Sequence, residues 1–343
     1  MSQAQAMAPR FSVILATRDR PALFEEALAS VLAQTHADTE IIVVNDGSSA
    51  ASLDAYCAIW AAASATRGAA FQAHSLVHRP KGHGQSYAIN FGAAQASGDY
   101  LCFLDDDDKW TDPQHLQRAA AAIDAAAGNG EVADLYMANQ TAWINDDRPV
   151  GTLWLGTLQA QLQAAGHSAD ALGTYRVDVP ALMRCTGFCH LNCLVVRRAL
   201  FNSVGGMDEG IRWECDRDLF LKLIEASTLM LHHPAVVSYH RVPDPSKANN
   251  MTTALGMVEK RLLQSIVLDR ALARSSNASI KHHAREHKGY ALKKIALEYA
   301  DTGNWADASF YAAQALGAAP GAKWLLFTLR CLLNRMVGAG RHG

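Results

Sequence analysis

The chain has 343 residues, half of them hydrophobic, only 19% charged, and a formal net charge of −2. That supplies apolar material for one large domain or two ordinary ones, and it excludes a disordered tail and a disulfide-rich miniprotein. No apolar run reaches the roughly 20 residues of a membrane span, and no basic excess points to nucleic acid as a general partner.

The first ten residues are polar and Ala-rich, and the apolar stretch Phe11–Ala16 is too short for the hydrophobic part of a secretory signal. Seven cysteines scattered over a long chain fit a reduced, cytoplasmic protein.

Phe11–Ala16 reads as a buried strand and Pro21–Gln34 as a helix, with proline in its first turn and Leu23, Ala27, Leu28, Val31 and Leu32 on one face. Glu40–Asn45 is a second strand, and about Ala51–Thr66 a second helix. Ala70–Val77, Gln85–Ala96 and Tyr100–Leu104 continue the alternation as strand, helix and strand. Apolar strands separated by helices predict a parallel sheet covered on both faces, with ligands beyond the carboxyl ends of its strands.

Further on, Ala133–Trp143 reads as a strand and the Gln- and Ala-rich Thr157–Leu172 as a local insertion. Leu191–Val196 is strand-like, Arg217–Ala226 helical, and Leu229–Tyr239 a final strand pair. Asp244–Asn250 reads as a loop, followed by wholly helical patterns. This predicts an α/β domain over 1–250 and a helical region over 251–343.

Four carboxylates, Asp105 to Asp108, directly follow the strand Tyr100–Leu104. Adjacent carboxylates repel unless a cation neutralises them, and a hard divalent ion bridging to phosphates needs only one or two protein carboxylates. Asp46 and Gly47 end the second strand, where the choice lies between an Asx turn and a hydrogen bond to a base or ribose. Thr17, Arg18 and Arg20 follow the first strand, where a guanidinium could meet a phosphate.

Three stretches, Ile14–Pro21, Glu40–Ser49 and Gly84–Trp110, resemble in order the motifs of family-2 glycosyltransferases with the GT-A fold. The resemblance resumes at Leu194–Arg198, Val204–Glu209 and Asp216–Lys222, and covers about residues 10–245. It implies an α/β, Rossmann-like mixed sheet with helices on both faces, and transfer of one sugar from a nucleotide diphosphate, UDP above all, to an acceptor hydroxyl. On that resemblance 1–250 is the catalytic domain, with the nucleotide side over about 10–125 and the acceptor side over about 130–245.

By that resemblance Thr17 and Asp46 hold the nucleoside, with Asp46 facing the base and Arg18 beside them as the phosphate candidate. Asp105 sits toward the ribose, with Asp106 also on the donor side. Asp107 binds a manganese or magnesium ion bridging the diphosphate, with Asp108 favoured instead by the position of Pro113, and His240 is a third metal ligand or a diphosphate contact. Asp216 matches the general base of inverting members, against the alternative of a helix N-cap. Two departures stand out. Ala88-Ile89-Asn90 replaces the family's Ala-Arg-Asn, leaving Arg79 or Lys81 as substitutes, and Glu214 is displaced by one residue from the usual Glu-Asp pair.

Other patterns are weaker. Cys185, Cys189 and Cys193, with His190 among them, do not match zinc or iron–sulfur spacings and read as small buried residues. Gly82-His83-Gly84 lacks the third glycine and downstream acid of a dinucleotide fingerprint.

Gly289–Ala300 followed by Gly303-Asn304-Trp305, Ala308, Ala312 and Pro320 resembles one tetratricopeptide repeat. A single repeat must pack on the catalytic domain or on a neighbouring chain, which leaves a homo-oligomer open. Lys323–Val337 is either a helix capping that repeat or an interfacial helix on anionic lipid, placing the protein at the cytoplasmic face of an inner membrane. The resemblance and this tail together suggest a bacterial surface glycan or its lipid-linked precursor as acceptor. Rival readings are a nucleotidyltransferase releasing pyrophosphate and a non-catalytic scaffold.

Overall fold

The computed structural model describes residues 10–144, 148–150, 154–185, 187–242 and 255–339. The chain divides into two compact units, Met1–Arg212 with Lys222–Val242, and Trp213–Leu221 with Pro243–Gly343. The loop expected over Asp244–Asn250, and with it the expected boundary near 250, lies outside the described residues.

In the first unit, β1 (Phe11–Thr17), α1 (Pro21–Leu32), β2 (Thr39–Asn45), α2 (Ala50–Arg67), β3 (Phe71–Ser75), α3 (Gln85–Gln95) and β4 (Tyr100–Phe103) follow the expected alternation. Strands β3, β2, β1 and β4 are neighbours in that order and parallel, with Phe11 opposite Thr39 on one side and Tyr100 on the other. Every residue of β2 is buried, which is why its centre, Ile41–Val44, is continuously apolar instead of alternating.

One buried carboxylate ties the amino ends of these strands together. Glu40 accepts from Ser12 Oγ (2.6 Å), Ser97 N (2.7 Å), Ser97 Oγ (2.9 Å) and Gly98 N (3.1 Å). So many donors offset the cost of removing the charge from water. Gly98 sits so close to Ser12 that a side chain there would collide with it.

The remaining strands depart from a wholly parallel sheet. Among the described residues the sheet has ten strands, in the order β3-β2-β1-β4-β9-β6-β10-β5, with β7 on β6 and β8 on β10. They are β5 (Lys109–Trp110), β6 (Leu135–Ile144), β7 (Arg148–Val150), β8 (Tyr175–Val177), β9 (Leu194–Arg197) and β10 (Met230–Val242). Strand β9 runs antiparallel to both β4 and β6, so the parallel strands read from the chain lie within the mixed sheet that the resemblance implied.

Instead of the expected pair over Leu229–Tyr239 there is one long strand, β10, whose register against β6 shifts between His232 and Val236 and again before Ser238. Pro234 lies at the break, because proline has no N–H to donate to the ladder. The stretch read as an insertion carries α5 (Leu158–Ala164), and Leu158 and Leu162 are buried in the core. Helix α4 (His115–Gly128) has no counterpart in the sequence reading, although Leu116, Ala119, Ala120 and Ile123 give it a buried stripe at helical spacing. Two short helices, α6 (Val179–Met183) and α7 (Arg198–Ser203), and α8 (Cys215–Ala226), which spans both units, complete the set.

The second unit is helical: α9 (Met257–Arg274), α10 (Ala278–Asp301), α11 (Trp305–Ala318) and α12 (Ala322–Ala339). Helix α10 begins eleven residues before the expected Gly289, because Asn277 caps it by accepting from Ser279 N (2.9 Å) and Ile280 N (3.3 Å). Asn304 caps α11 by accepting from Asp307 N (3.2 Å). Ala308, Ala312 and Ala315 are fully buried, and Gly289 lies against Ala319, so small residues let these helices approach closely.

Candidate active site

The carboxyl ends of β1, β2 and β4 converge, and the residues after each strand are bonded to one another. Thr17 donates from Oγ1 to Asp106 Oδ2 (2.6 Å) and lies 2.8 Å from the Tyr56 hydroxyl. Arg20 forms an ion pair with Asp106 and, at 2.6 Å, with Asp107. Asp106 is 1% exposed; burial pushes its carboxyl up to about 6, against the pull of the Arg20 charge. The flanking carboxylates in turn raise the Arg20 guanidinium against the opposing effect of burial.

Asp105 takes a different set of partners. Its backbone N–H donates to Asn192 Oδ1 (3.0 Å), and Gln85 Nε2 donates to its carboxylate (2.7 Å). Burial, together with Asp108 and Asp107, raises its carboxyl well above the usual range.

Asp108, 2% exposed, is the most fully satisfied of the four. It accepts from Asn192 Nδ2 (2.5 Å), His240 Nδ1 (2.7 Å) and Arg241 N (2.7 Å). Burial alone would raise its carboxyl, but the His240 charge and hydrogen bond hold it below the usual range. Conversely, burial would lower His240, but Asp108 lifts it to about 9.

Sequence reasoning singled out Asp107, Asp108 and His240 for a metal. The structure groups Asp108 and His240 with His190 instead, their ligand atoms all within 4.8 Å of one another. Asp107 stays outside this group, on Arg20. One carboxylate oxygen and two imidazole nitrogens are a donor set that a divalent transition ion accepts, so the residues fit a metal. His190 was read as part of a buried Cys-rich run. Cys185, Cys189 and Cys193 are indeed buried, but the His190 ring is brought beside His240, with centroids 5.0 Å apart.

Asn192, also missed, is the hinge of this arrangement. It is 1% exposed and bonds Asp105 and Asp108, while its carbonyl accepts from Trp110 Nε1 (2.7 Å). Its only signal in the sequence is a polar residue inside the apolar run Leu191–Val196. Tyr56, in the middle of α2, likewise becomes a partner of Thr17 and of Arg20 N (2.9 Å) only in the fold.

At the end of β2, Asp46 is 7% exposed and accepts from His83 N (2.8 Å) and Gly84 N (2.9 Å). The base-facing residue expected from the sequence thus holds the loop ahead of α3 in this structure. Arg18 supports the same loop, donating from Nη2 to the carbonyls of Arg79 (2.7 Å) and Pro80 (3.1 Å). Gly82, at φ +64°, packs so tightly on Arg18 and Asp46 that a Cβ would overlap both.

In α3, Asn90 occupies the position next to the missing arginine. It donates from Nδ2 to Met207 O (2.9 Å) and accepts from Met207 N (2.9 Å), fixing the Gly205-Gly206 turn. A second guanidinium beside this loop, after that of Arg18, belongs to Arg212, which lies over Gly84 and reaches the His83 carbonyl at 3.5 Å.

Asp216 belongs to the second unit, in the first turn of α8, and accepts from Arg217 N (2.9 Å). Its neighbour Glu214 has φ +60°, unusual for a residue with a side chain, and pairs with Arg217. Burial raises the Glu214 carboxyl despite that pair.

Comparison with known proteins accords with this geometry. Residues 12–169 match the profile of glycosyl transferase family 2. A PGL/p-HBAD biosynthesis glycosyltransferase of Mycobacterium tuberculosis is 27% identical over 235 residues, 68% of this chain and 77% of that protein. Another curated relative, an uncharacterized glycosyltransferase of Nostoc sp., is 38% identical over 109 residues, and the chain spans only 31% of its length.

Among solved structures, residues 1–349 of Staphylococcus aureus TarS in complex with UDP-GlcNAc superpose with a TM-score of 0.62 at 15% identity, covering 91% of this chain and 82% of that one. A mannosyltransferase of Pyrobaculum calidifontis, in complex with GDP-Man and Mn2+, gives 0.58 at 16% identity, covering 97% and 87%. At such identities the likeness establishes the fold. Sequence profile, relatives and fold point the same way: residues 12–169 match glycosyl transferase family 2, the curated relatives are glycosyltransferases, and the chain shares the fold of the solved structures above.

Proposed function

We propose that the protein is a metal-dependent, inverting glycosyltransferase that moves one sugar from a nucleotide diphosphate donor, UDP-linked, to an acceptor hydroxyl of a bacterial surface glycan or its lipid-linked precursor. The observation that supports it is the convergence of Thr17, Asp46 and Asp105–Asp108 at three strand ends, with His190 and His240 completing a metal-capable group beside them. Donor complexes of UDP-GlcNAc in TarS and of GDP-Man with Mn2+ in the Pyrobaculum enzyme are consistent with that class of ligand.

Asp108, His190 and His240 would hold a divalent ion, which when bound offsets the charge on the leaving diphosphate. Arg20 pairs with Asp106 and Asp107 and fixes them, so that the acidic loop presents one geometry. Asp46 and Arg18 shape the loop Pro80–Gly84 that borders the nucleotide side, and Arg212 supplies the positive charge absent from α3. Asp216 is the base: it takes the acceptor's hydroxyl proton as that oxygen bonds the anomeric carbon, while the bond to the diphosphate breaks and its electron pair leaves with the phosphate oxygen.

The test is a panel of nucleotide sugars with Mn2+, reading thermal stabilisation and released product. Free nucleoside diphosphate together with inverted anomeric configuration supports the proposal. Pyrophosphate would instead identify a nucleotidyltransferase, and no stabilisation by any donor would identify a scaffold. Asp216→Asn is expected to lower kcat by roughly 10²–10⁴-fold with little change in donor KM.

A further inference from the structure

Helix α12 is amphipathic in an inverted sense. Its inner face packs within the helical unit: Trp324 Nε1 donates to the Ala312 carbonyl (2.9 Å), and Thr328 and Cys331 are buried. This much matches a helix that caps a repeat. The opposite face carries seven large apolar side chains that are all exposed, among them Leu326 (67%), Leu333 (64%) and Met336 (72%). At 100° per residue Leu325, Leu326, Leu329, Leu332, Leu333, Met336 and Val337 fill one continuous sector of about 140°. Leucines scattered singly over a surface need no explanation, but a contiguous stripe does.

The charges on the same helix choose the occupant. Lys323 and Arg330 lie on one border of the apolar sector and Arg335 beyond the other, all exposed, and residues 322–339 contain no Asp or Glu. A second copy pairing through this face would bring six cations together with no acid on the helix to meet them. A neutral apolar partner would leave the flanking cations unused. An anionic bilayer satisfies both features, because the apolar sector enters the acyl boundary while long basic side chains reach the headgroups. The wider sequence agrees in sign: residues 255–343 carry 13 Lys and Arg against 6 Asp and Glu, net +7, leaving −9 on the residues before them. No helix among the described residues is long and apolar enough to cross a membrane, so the contact is one of lying on the surface.

We propose that α12 is a membrane-surface anchor, which docks the protein on anionic phospholipid through the Leu326/Leu333/Met336 face, with Lys323, Arg330 and Arg335 as its headgroup contacts. This stands independently of the sugar transferred, and its test does not use activity.

The full chain is mixed with vesicles of neutral phosphatidylcholine, and with vesicles in which about a third of the lipid is phosphatidylglycerol, and bound protein is measured by flotation. Binding to the anionic vesicles only, weakened by salt, is expected. Leu326→Glu with Leu333→Glu is expected to reduce it more than tenfold, and replacing Lys323, Arg330 and Arg335 by Gln to reduce it roughly fivefold per cation. Both sets alter exposed positions, and an unchanged thermal midpoint and helical circular dichroism confirm the fold. If either variant set disturbs the fold, the wild-type salt and lipid dependence alone decides. Equal binding to neutral vesicles, no binding to anionic ones, or a wild-type dimer in light scattering that the double Glu variant dissolves would each overturn the proposal.

Discussion

His240 Nδ1 donates to Asp108 Oδ2 across 2.7 Å, joining the far end of β10 to the loop after β4 over 132 residues of chain. The two groups reinforce each other: the carboxylate keeps the imidazole charged up to a pH of about 9, and the imidazolium keeps the buried carboxylate ionised. The bond also positions one ligand set, since His190 and Asn192 close on the same carboxylate from the turn just before β9, and a bound ion would take the place of the second proton on the His240 ring. This geometry ranks the four aspartates by the work each can do.

If Asp108 is the metal-binding carboxylate, Asp108→Asn and His240→Ala should abolish stabilisation by Mn2+ and lower transfer at least a hundredfold. Asp107→Asn, which loses only its Arg20 pair, should retain most of the metal response. Titration calorimetry with Mn2+ checks the ranking, and the reverse order would assign the ion to Asp107.

Arg20 neutralises a carboxylate with almost no access to water, so Arg20→Met should destabilise the protein by about 3 kcal/mol. The loss comes from the stranded Asp106 charge, and Asp106→Asn in the same chain should restore most of it. Urea unfolding of the two single variants and the double variant measures the coupling. Additive losses would mean that the pair is not the cause.

Two buried histidines outside the acidic loop set the acid limit of the fold. His115 and His232 are fully buried, and burial lowers both to about 4. Because the folded values lie below the ordinary 6.5, the unfolded chain takes up protons first as the pH falls. Stability is therefore complete above about 6.5 and is lost between there and 4. His115 alone should account for about 2.5 kcal/mol between pH 7 and 4.5, and His115→Leu should flatten the urea-derived stability curve by that amount. An unchanged slope in the variant would refute the assignment.

Gly82→Ala should displace the loop over β2, because the new methyl meets Arg18 and Asp46 and the residue must also keep a left-handed backbone. The expected result is a lower melting midpoint and a donor KM raised about tenfold, with kcat little changed. Asp46→Ala, which removes the acceptor of the His83 and Gly84 amides, should reproduce both effects. A normal donor KM in both variants would separate this loop from the donor.

The alternation of β1 to β4 with α1 to α3 was legible from the chain alone. Buried parallel strands are apolar through their centres, and their helices show a 3.6-residue stripe, so local composition encodes them. The acidic run after β4 and the aspartate after β2 were legible for the same reason, since polar residues at the ends of such strands face the crevice. What local sequence could not encode is which distant residues arrive there. Asn192 and His190 lie in a short stretch whose antiparallel strand β9 inserts between β4 and β6, and only that pairing carries them to Asp108. The single bent strand β10 places His240, and α2 lends Tyr56 to Thr17. The exposure of the outer face of α12 was likewise undecided, since an apolar stripe reads the same whether buried or bare. Sequence thus determined the elements and the charges at their ends. Tertiary structure decided the partners, because hydrogen bonds and ion pairs depend on distances that non-local strand order sets.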